Sequence, residues 1–332
     1  MVLLCDYGQR EDRNAMVFVL IAFLYRMIRL LSLDDHRKLD NPTSPAEFLQ
    51  RECEIRLVWA CYHVDVMVGT GVEKNLCWRD DVPNIPLPCP EPNFLSQTPS
   101  ATFFVENIER AGFAEAIPQL DLEALSIIVV RLRSKVMKLI RKPQSNKHIW
   151  ENESQFIEII NQLDVLYQNL PEKYHLSDLN MYVLKDKGVL GGVFVLHLLI
   201  HAVIFDLTRT SLAGFNFPMS ADFKHAPDDF RTQCQDRCRF HADQVSQLIR
   251  KAMGHGRSAF DDVFCADAAM ESAKIQIVYA ATVNRVPQIV SATRSNLCTN
   301  IEFLKSLNRS TETKNQVVCS LGSRIPTRDV FC

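Results

Sequence analysis

Apolar side chains recur every three or four positions along most of this chain, which is the pattern of helices that bury one face. Residues 13–33 follow this spacing and predict a helix that packs on another element. The same spacing predicts helices at residues 121–142, 151–170, 182–212, 227–253, 262–283 and 295–307, whereas the residues from 308 onward lack it. Because no convincing strand alternation occurs, we predict an all-α, multi-helix fold without a sheet.

Two local signals refine this pattern. Ser44, Pro45 and Glu47 match an N-cap, a first-turn proline and a capping box, which predict a helix that continues to about Val68. Six of the 15 prolines then lie within residues 83–99. Proline removes a backbone donor and clashes with the preceding turn, so we predict an extended connector without helix in this segment.

The composition narrows the class of protein. The 332 residues are 47% hydrophobic and 23% charged, which excludes an intrinsically disordered chain. Lys and Arg total 37 against 39 Asp and Glu, a net charge of -2, so no overall positive field would hold DNA. Eleven cysteines, an odd number, without a secretory leader indicate reduced thiols in the cytosol or the nucleus.

Two apolar segments bear on membrane association. Residues 16–24 are similar to the apolar stretch of a signal peptide, but Glu11, Asp12 and the lack of a small-residue cleavage site argue against one. Residues 189–205 are shorter than the roughly 20 residues that a membrane span requires. We therefore expect no membrane association, and we interpret the second segment as a buried central helix.

Two groups of side chains have the residue types of a metal site. His197 and His201 are one helical turn apart, and Cys234, Cys238 and His241 share a helical face. Neither group supplies a full set of ligands, and structural zinc usually involves closely spaced cysteine pairs. Hydrogen-bonded imidazoles and buried thiols are the simpler interpretation, so we predict no metal or other cofactor in this chain.

An enzyme is the alternative that two aspartate motifs raise. The spacing Asp-Asp-x-x-x-x-Asp, with which all-α prenyl-transferring enzymes bind magnesium diphosphate, occurs at Asp34, Asp35 and Asp40 and again at Asp261, Asp262 and Asp267. Adjacent aspartates are also common helix caps. The signatures of nucleotide-binding, serine-hydrolase and zinc-protease sites are absent. We predict that the chain is not an enzyme and keep a magnesium-dependent prenyl or terpenoid-type enzyme as the alternative.

A run of basic residues could serve a phosphate or an acidic partner. It comprises Arg131, Arg133, Lys135, Lys138, Arg141, Lys142 and Lys147, with no acid between them. The run contains no interleaved aromatic side chains, which single-stranded nucleic acids would require for stacking. A solvated helix face is therefore the expected role of these charges.

The helix that follows Ser44 carries a recognisable motif. Residues 51–65 resemble the Glu-x-x-Arg-Arg-x-Phe-Trp-x-x-Tyr-x-x-Asp signature of the fungal-specific transcription factor regulatory domain, the middle homology region of zinc-cluster transcription factors similar to the xylanolytic activator. The matching residues are Glu52, Arg56, Trp59, Tyr62 and Asp65, while Ile55 and Val58 replace an arginine and the phenylalanine. The acid-to-base spacing from Glu52 to Arg56 suits an ion pair along the helix, and Asp65 would need a partner on another helix.

Other segments resemble the same family in the same order. They are residues 21–33, the connector at 79–88, residues 163–171, the segment from Leu196 to His201 that includes His197, and Arg209 with its neighbours. The resemblance covers residues 1–215, read as a regulatory region that is incomplete at its N-terminus. Residues 216–332 are similar only to the variable helical C-terminal part of such proteins, and we expect this part to pack on residues 1–215.

The resemblance implies a nuclear regulatory domain that controls transcription without catalysis. The family's zinc ions belong to an N-terminal DNA-binding module that is missing here, so this chain would reach DNA only through such a module. The module would be missing either because the gene model is truncated or because it was really lost. A homodimer, a co-regulator or a small-molecule effector remain open as partners, and a non-catalytic helical scaffold is a further alternative. The motif residues, with His197, His201 and Arg209, are expected to serve structure and regulation.

Overall fold

The computed structural model describes residues 1–11, 13–35, 42, 44–79, 82–143, 147–256, 259 and 262–307. Within these ranges the chain folds into α-helices, short 3-10 turns and loops, and the only strand-like feature is an isolated bridge between Asp35 and Asn84. The all-α prediction is therefore confirmed. The α-helices are Val2–Arg10 (α1), Asn14–Leu31 (α2), Pro45–Gly69 (α3), Glu91–Ser96 (α4), Val105–Ala111 (α5), Phe113–Ala116 (α6), Leu122–Arg141 (α7), Gln155–Gln168 (α8), Asp178–Asp186 (α9), Leu190–Thr208 (α10), Asp228–Met253 (α11), Val263–Thr282 (α12) and Pro287–Ser306 (α13).

Several helices differ from the prediction: α1, α5 and α6 were not predicted, and α8 begins at Gln155 instead of near residue 151. The helix predicted over residues 182–212 is two helices, α9 and α10, which are separated at Gly188, whose φ of +71° favours glycine. Helix α13 begins at Pro287, eight residues before the predicted start, because a proline is accommodated in the first turn. Helix α4 lies inside the connector that was predicted to lack helix, since Pro90 and Pro92 occupy its N-cap and first turn.

The chain divides into two compact units. The first contains residues 1–138 and 161–175, and the second contains residues 139–160 and the chain from 176 onward. This division differs from the one predicted after residue 215. The helices on either side of residue 215, α10 and α11, pack against each other within the second unit.

In the first unit, α1, α2 and α3 pack on one another. Gly8 of α1 allows a close approach to α2, because a Cβ atom at this position would lie 2.7 Å from Val17 Cγ2. The buried side of α2 consists of Val17, Ile21, Leu24 and Ile28, at the spacing that the sequence predicts. The connector that follows α3 is also buried over most of residues 83–89.

The second unit is built around α11. This helix contacts α10, α12 and α13, and it buries Cys238, Ala242, Val245 and Ile249 along one side. Buried residues occur on every side of α10, which is typical of a helix enclosed by others. A polar cluster is also buried here, where Gln276 Nε2 donates to Ser246 Oγ and Ser272 Oγ at 2.9 Å each.

Two helices in the described part of the chain are long and apolar enough to cross a membrane by length and composition alone. They are Asn14–Leu31 and the segment Leu190–Ser211, which extends α10. Of the second segment, 83% is buried inside the fold, so it serves as a core helix. Of the first, 17% is buried, so much of its apolar surface is exposed.

Candidate functional site

Helix α3 carries the signature residues and begins where the sequence predicts. The Ser44 hydroxyl accepts a hydrogen bond from the Glu47 backbone N–H (3.2 Å), and Pro45 occupies the first turn. Along the helix, Arg56 Nε donates to Glu52 Oε1 at 3.1 Å, four residues apart. Glu52 is buried, whereas the Arg56 side chain is 23% exposed.

This pair holds the connector by its backbone. Glu52 Oε1 accepts a hydrogen bond from the Cys89 backbone N–H (2.9 Å), and Arg56 Nη2 donates to the Cys89 carbonyl (3.1 Å). Arg56 Nη1 also donates to Glu91 Oε2 at 2.8 Å, and the guanidinium lies 4.2 Å from the centre of the Phe94 ring. One ion pair on α3 therefore satisfies both backbone groups of Cys89 and reaches the first turn of α4.

Trp59 binds the same connector at Pro86, three residues before Cys89. Its indole Nε1–H donates to the Pro86 carbonyl at 2.7 Å, and the ring is buried. Proline-rich segments cannot pair all their carbonyls in a helix or sheet, so an indole donor from α3 satisfies a group that would otherwise be unpaired. Tyr62 continues the aromatic seam: its ring meets Trp59 at 5.6 Å and Trp78 at 6.0 Å, both edge-on.

Asp65 completes the set at the end of α3. Its carboxylate accepts hydrogen bonds from the Cys77 backbone N–H (2.9 and 3.0 Å) and from the Trp78 backbone N–H (3.1 Å). The expectation that Asp65 needs a partner on another helix is therefore corrected, because its partners are backbone groups of the segment after α3. We call Glu52, Arg56, Trp59 and Asp65 the connector clamp, since the first three bind backbone of the connector and Asp65 binds backbone of residues 77 and 78, which precede it.

Burial governs the electrostatics of the connector clamp. It raises the pKa of Glu52 above the ordinary carboxyl value, although hydrogen bonds from Cys89 and Arg56 partly oppose the shift. Burial likewise raises the pKa of Asp65, against the opposing hydrogen bonds of Cys77 and Trp78. It also raises the pKa of the Cys89 thiol to about 12, so that thiol is not a nucleophile at neutral pH. The arrangement suits anchoring of the connector and not acid–base catalysis.

Asp121 ties the far end of the connector, and nothing in its sequence context singles it out. It accepts hydrogen bonds from the Glu91 backbone N–H (3.0 Å), Lys173 Nζ (2.8 Å) and the Tyr174 hydroxyl. Burial alone would raise its pKa, but the hydrogen bonds from Lys173 and Tyr174 lower it overall. Trp78 was also not predicted as a site residue, although a tryptophan soon after a helix rich in aromatic residues is a usable signal for packing. The centre of its ring lies 4.8 Å from that of Tyr25.

The two candidate histidines lie in the core of the second unit. His201 is buried on α10, and its Nδ1 lies 2.8 Å from Nδ1 of His241 on α11, so one ring donates and the other accepts. Burial lowers the pKa of His201 well below its ordinary value and that of His241 to about 3. His197 is also buried, one turn before His201. Among the described side chains, no three histidine, cysteine or carboxylate groups could together hold a metal ion.

Arg209 is buried just after α10. Its guanidinium contacts Asp206 Oδ1 at 2.8 Å and Glu271 Oε2 of α12 at 2.7 Å. The same group lies 5.0 Å from the centre of the Phe217 ring. Arg209 therefore joins the end of α10 to α12 and to the loop that precedes α11.

The aspartate motifs do not assemble a diphosphate site from the described residues. Asp34 is buried and pairs with Arg29 Nε at 3.0 Å, while Asp262 caps α12 by accepting from the Phe264 backbone N–H at 2.8 Å. Asp40 and Asp261, one member of each motif, lie outside the residues that the structure describes. Asp262 therefore serves as a helix cap, and Asp34 pairs with the last turn of α2.

The basic run is not the solvated face that the sequence suggests. Arg131 Nε and Lys135 Nζ both contact Glu109 Oε1, at 3.2 and 2.9 Å. Arg133 is buried, and Lys138 is half-buried. The acid that pairs with Arg131 and Lys135 comes from α5, which no feature of α7 could reveal.

Comparison with known proteins gives one family. The family model described as the fungal specific transcription factor domain matches residues 1–168, which include α1 to α8 and the connector clamp. No solved structure matches the chain.

The curated relatives are transcription regulators. The Zn(2)-C6 fungal-type transcription factor FTF1c of Fusarium oxysporum f. sp. lycopersici is 23% identical over 300 residues, which cover 87% of this chain and 31% of that protein. The transcription factor FTF2 of the same fungus is 23% identical over 299 residues, which cover 87% of this chain and 27% of that protein. An uncharacterized transcriptional regulatory protein of Schizosaccharomyces pombe is 26% identical over 239 residues, 65% of this chain and 34% of that protein. The chain thus spans about a third or less of the length of these relatives.

Proposed function

The chain belongs to the fungal specific transcription factor domain family and is the regulatory domain of such a factor, and from this premise we propose that it controls transcription through non-catalytic contacts. The family and its named relatives are transcription factors and not enzymes. The observation that carries the proposal is the family match over residues 1–168, which contain the connector clamp. The chemistry of that clamp would then be architectural: it keeps a proline-rich segment in one conformation on α3.

DNA contact would come from a zinc module outside this chain. The zinc-cluster relatives carry Zn(2)-C6 in their names, and two thirds or more of their length has no counterpart here. The near-neutral charge of this chain supports a DNA contact elsewhere, because 37 basic against 39 acidic residues supply no general attraction to phosphate. The place of action would be the nucleus. Neither cofactor nor catalytic group is assigned to the chain.

A partner or effector would act by shifting the population of two arrangements of the domain. The buried connector is a suitable element for this, because its backbone is held by a few side chains of α3 and not by a continuous ladder of hydrogen bonds. A homodimer, a co-regulator and a small molecule are the candidate inputs. A scaffold with no effector is separable from a ligand-responsive domain, because only the latter has a metabolite that raises its melting temperature.

The test is a tethering experiment. The 332-residue chain is joined to a heterologous DNA-binding module and assayed on a reporter that carries the module's site. We expect the tethered chain to change reporter output relative to the module alone. Trp59→Ala should reduce this effect, while Leu57→Ala, an exposed position on the same helix, should preserve it.

Two results would contradict the proposal. One is a reporter that responds equally to the module with and without the chain at matched protein levels. The other is sequence-specific duplex DNA binding at physiological salt by the purified chain alone, which would place the DNA contact inside this chain. Magnesium-dependent release of diphosphate from a prenyl diphosphate would instead support the enzyme alternative.

A further inference from the structure

A threonine followed by a proline lies exposed in the loop after α4. Serine or threonine precedes proline at two places in the sequence, Ser44–Pro45 and Thr98–Pro99. Thr98 and Pro99 are both exposed, and residues 97–104 form neither helix nor strand. Proline-directed protein kinases select this pair of residues, and proline brings no backbone N–H group that would need a partner in the kinase cleft. The loop therefore offers an accessible substrate segment for such a kinase.

The other serine–proline pair is held by the fold. The Ser44 hydroxyl accepts a hydrogen bond from the Glu47 backbone N–H at 3.2 Å, and Pro45 already belongs to α3. Phosphoryl transfer requires the acceptor oxygen to lie in line with the γ-phosphoryl group of ATP, inside a cleft that the substrate segment must enter. Ser44 could enter that cleft only if the first turn of α3 unwound. The fold thus distinguishes two pairs that the sequence presents as equivalent.

The Thr98 hydroxyl lies on the surface at the C-terminal end of α4. Its Oγ1 lies 2.7 Å from Ser96 Oγ and 3.4 Å from Asn93 Nδ2, and both contacts are exposed. The Thr98 backbone N–H donates to the Asn93 carbonyl at 3.0 Å. The Gln97 backbone N–H donates to the Phe94 carbonyl at 3.2 Å. A phosphate on Thr98 Oγ1 would therefore lie close to the last carbonyl groups of α4.

The charges around Thr98 make a phosphate unfavourable for the end of α4. Residues 80–109 contain no lysine or arginine. Arg56 contacts α4, but its guanidinium is already paired with Glu52 and Glu91. A phosphothreonine carries a charge of about −1.5 to −2 at pH 7, and the C-terminus of a helix is the negative end of its dipole. Phosphorylation should therefore loosen the last turn of α4.

The loop that contains Thr98 is fastened to the connector at both of its ends. Before the loop, the Phe94 ring of α4 lies 4.2 Å from the Arg56 guanidinium of the connector clamp. After it, the Phe103 carbonyl accepts a hydrogen bond from the Leu87 backbone N–H at 2.7 Å. A change in the conformation of this loop would therefore act directly on the segment that the clamp holds.

We propose that Thr98 is a phosphorylation site for a proline-directed protein kinase that uses ATP, and that the phosphate loosens the end of α4. In the transfer, Thr98 Oγ1 forms a bond to the γ-phosphorus of ATP while the bond from that phosphorus to the bridging oxygen of ADP breaks. The hydroxyl proton passes to the catalytic aspartate of the kinase. The site goes beyond the regulatory role proposed above and does not depend on it.

Phosphorylation of the purified, folded 332-residue chain by a mitogen-activated protein kinase with MgATP tests the site. Tandem mass spectrometry should locate one added phosphoryl group, about 80 Da, on Thr98. Thr98→Ser should still be modified at this position, whereas Thr98→Ala and Pro99→Ala should each lose nearly all of the incorporation. Ser44→Ala is the matched control and should incorporate as much phosphate as the parent. Mapping the site on the parent chain requires no variant to fold.

Hydrogen exchange tests the effect of the phosphate. In the phosphorylated chain, the amide groups of residues 91–98 should exchange roughly tenfold faster than in the unmodified chain, while those of α7 should exchange at an unchanged rate.

Three results would overturn the proposal. The first is a folded parent that takes up no phosphate on Thr98 while the kinase modifies a control peptide with the same Thr-Pro pair. The second is a Pro99→Ala chain that is modified as fast as the parent, and the third is unchanged exchange in α4 after phosphorylation. All are measurements on purified protein, so a failure here is distinct from a failure of the reporter assay.

Discussion

Removing the carboxylate of Glu52 should unfold the first unit more easily, and the structure sets the size of the effect. In Glu52→Ala, the Cys89 backbone N–H loses its acceptor at 2.9 Å in a buried position, which costs about 1–3 kcal/mol. Arg56 also loses its pair at 3.1 Å, which at 23% exposure adds about 0.5–1 kcal/mol. The free energy of unfolding should therefore fall by roughly 1.5–4 kcal/mol.

Two further variants make this prediction specific. Glu52→Gln keeps an oxygen that can accept from the Cys89 N–H and removes the charge that burial disfavours, so its loss should be about 1 kcal/mol. Glu54→Ala is the matched control on the same helix. Glu54 only accepts an exposed hydrogen bond from Gln50 Nε2, so its removal should cost no more than about 0.5 kcal/mol.

The assay is urea unfolding followed by tryptophan fluorescence. Two of the three tryptophans, Trp59 and Trp78, are buried in the first unit beside the connector clamp, so the signal reports on this region. The expected order of stability is Glu54→Ala, then Glu52→Gln, then Glu52→Ala. If Glu52→Ala and Glu54→Ala unfold at the same urea concentration with equal slopes, the clamp does not hold the connector and the reasoning is refuted.

Three other predictions follow from the described contacts. Burial lowers the pKa values of His201 and His241, so both rings stay neutral in the folded state, whereas the unfolded state takes up protons below about pH 6.5. The free energy of unfolding should therefore fall by about 2–3 kcal/mol between pH 7.5 and 5.5. Urea unfolding at both pH values should show a smaller loss in His241→Gln, whereas the exposed His225→Gln should lose as much as the parent; identical losses in all three chains would contradict the assignment. Trp59→Ala should cost about 3–5 kcal/mol, from the cavity and the lost bond to the connector, and a melting temperature equal to the parent's would contradict its burial. Ser44→Ala should cost about 1 kcal/mol in the same unfolding assay, with Ser44→Thr close to the parent, because the hydroxyl caps α3; equal loss in both would refute the cap.

Local signals in the sequence were sufficient for most helices. The start of α3 follows from Ser44, Pro45 and Glu47, whose effects act within one turn. Helices α1, α5 and α6 were not predicted. The break at Gly188 and the short helix α4 were also missed. In both cases the signal in the sequence is weak. The break rests on one glycine inside an apolar run. Helix α4 contains two prolines in and before its first turn, where proline is accepted, although proline disrupts the later turns of a helix.

Only part of the candidate site could be predicted from the sequence. The pair Glu52–Arg56 lies within one helix, and the spacing of four residues predicts it. The partners of Asp65 were assigned to the wrong kind of element. Its carboxylate binds backbone N–H groups, which every residue possesses, so no side-chain pattern in the sequence marks them.

What the sequence by itself determined is the set of properties that depend on near neighbours: the all-α class, the capped start of α3, the apolar character of α10 and the motif that resembles the regulatory family. Only the tertiary structure decided which groups meet across long intervals. It brought Cys89 to Glu52, Glu109 to the basic residues of α7, and His241 to His201. It also decided which apolar face of α2 is buried and which is exposed, because burial depends on the neighbours that the fold supplies and not on the side chain alone.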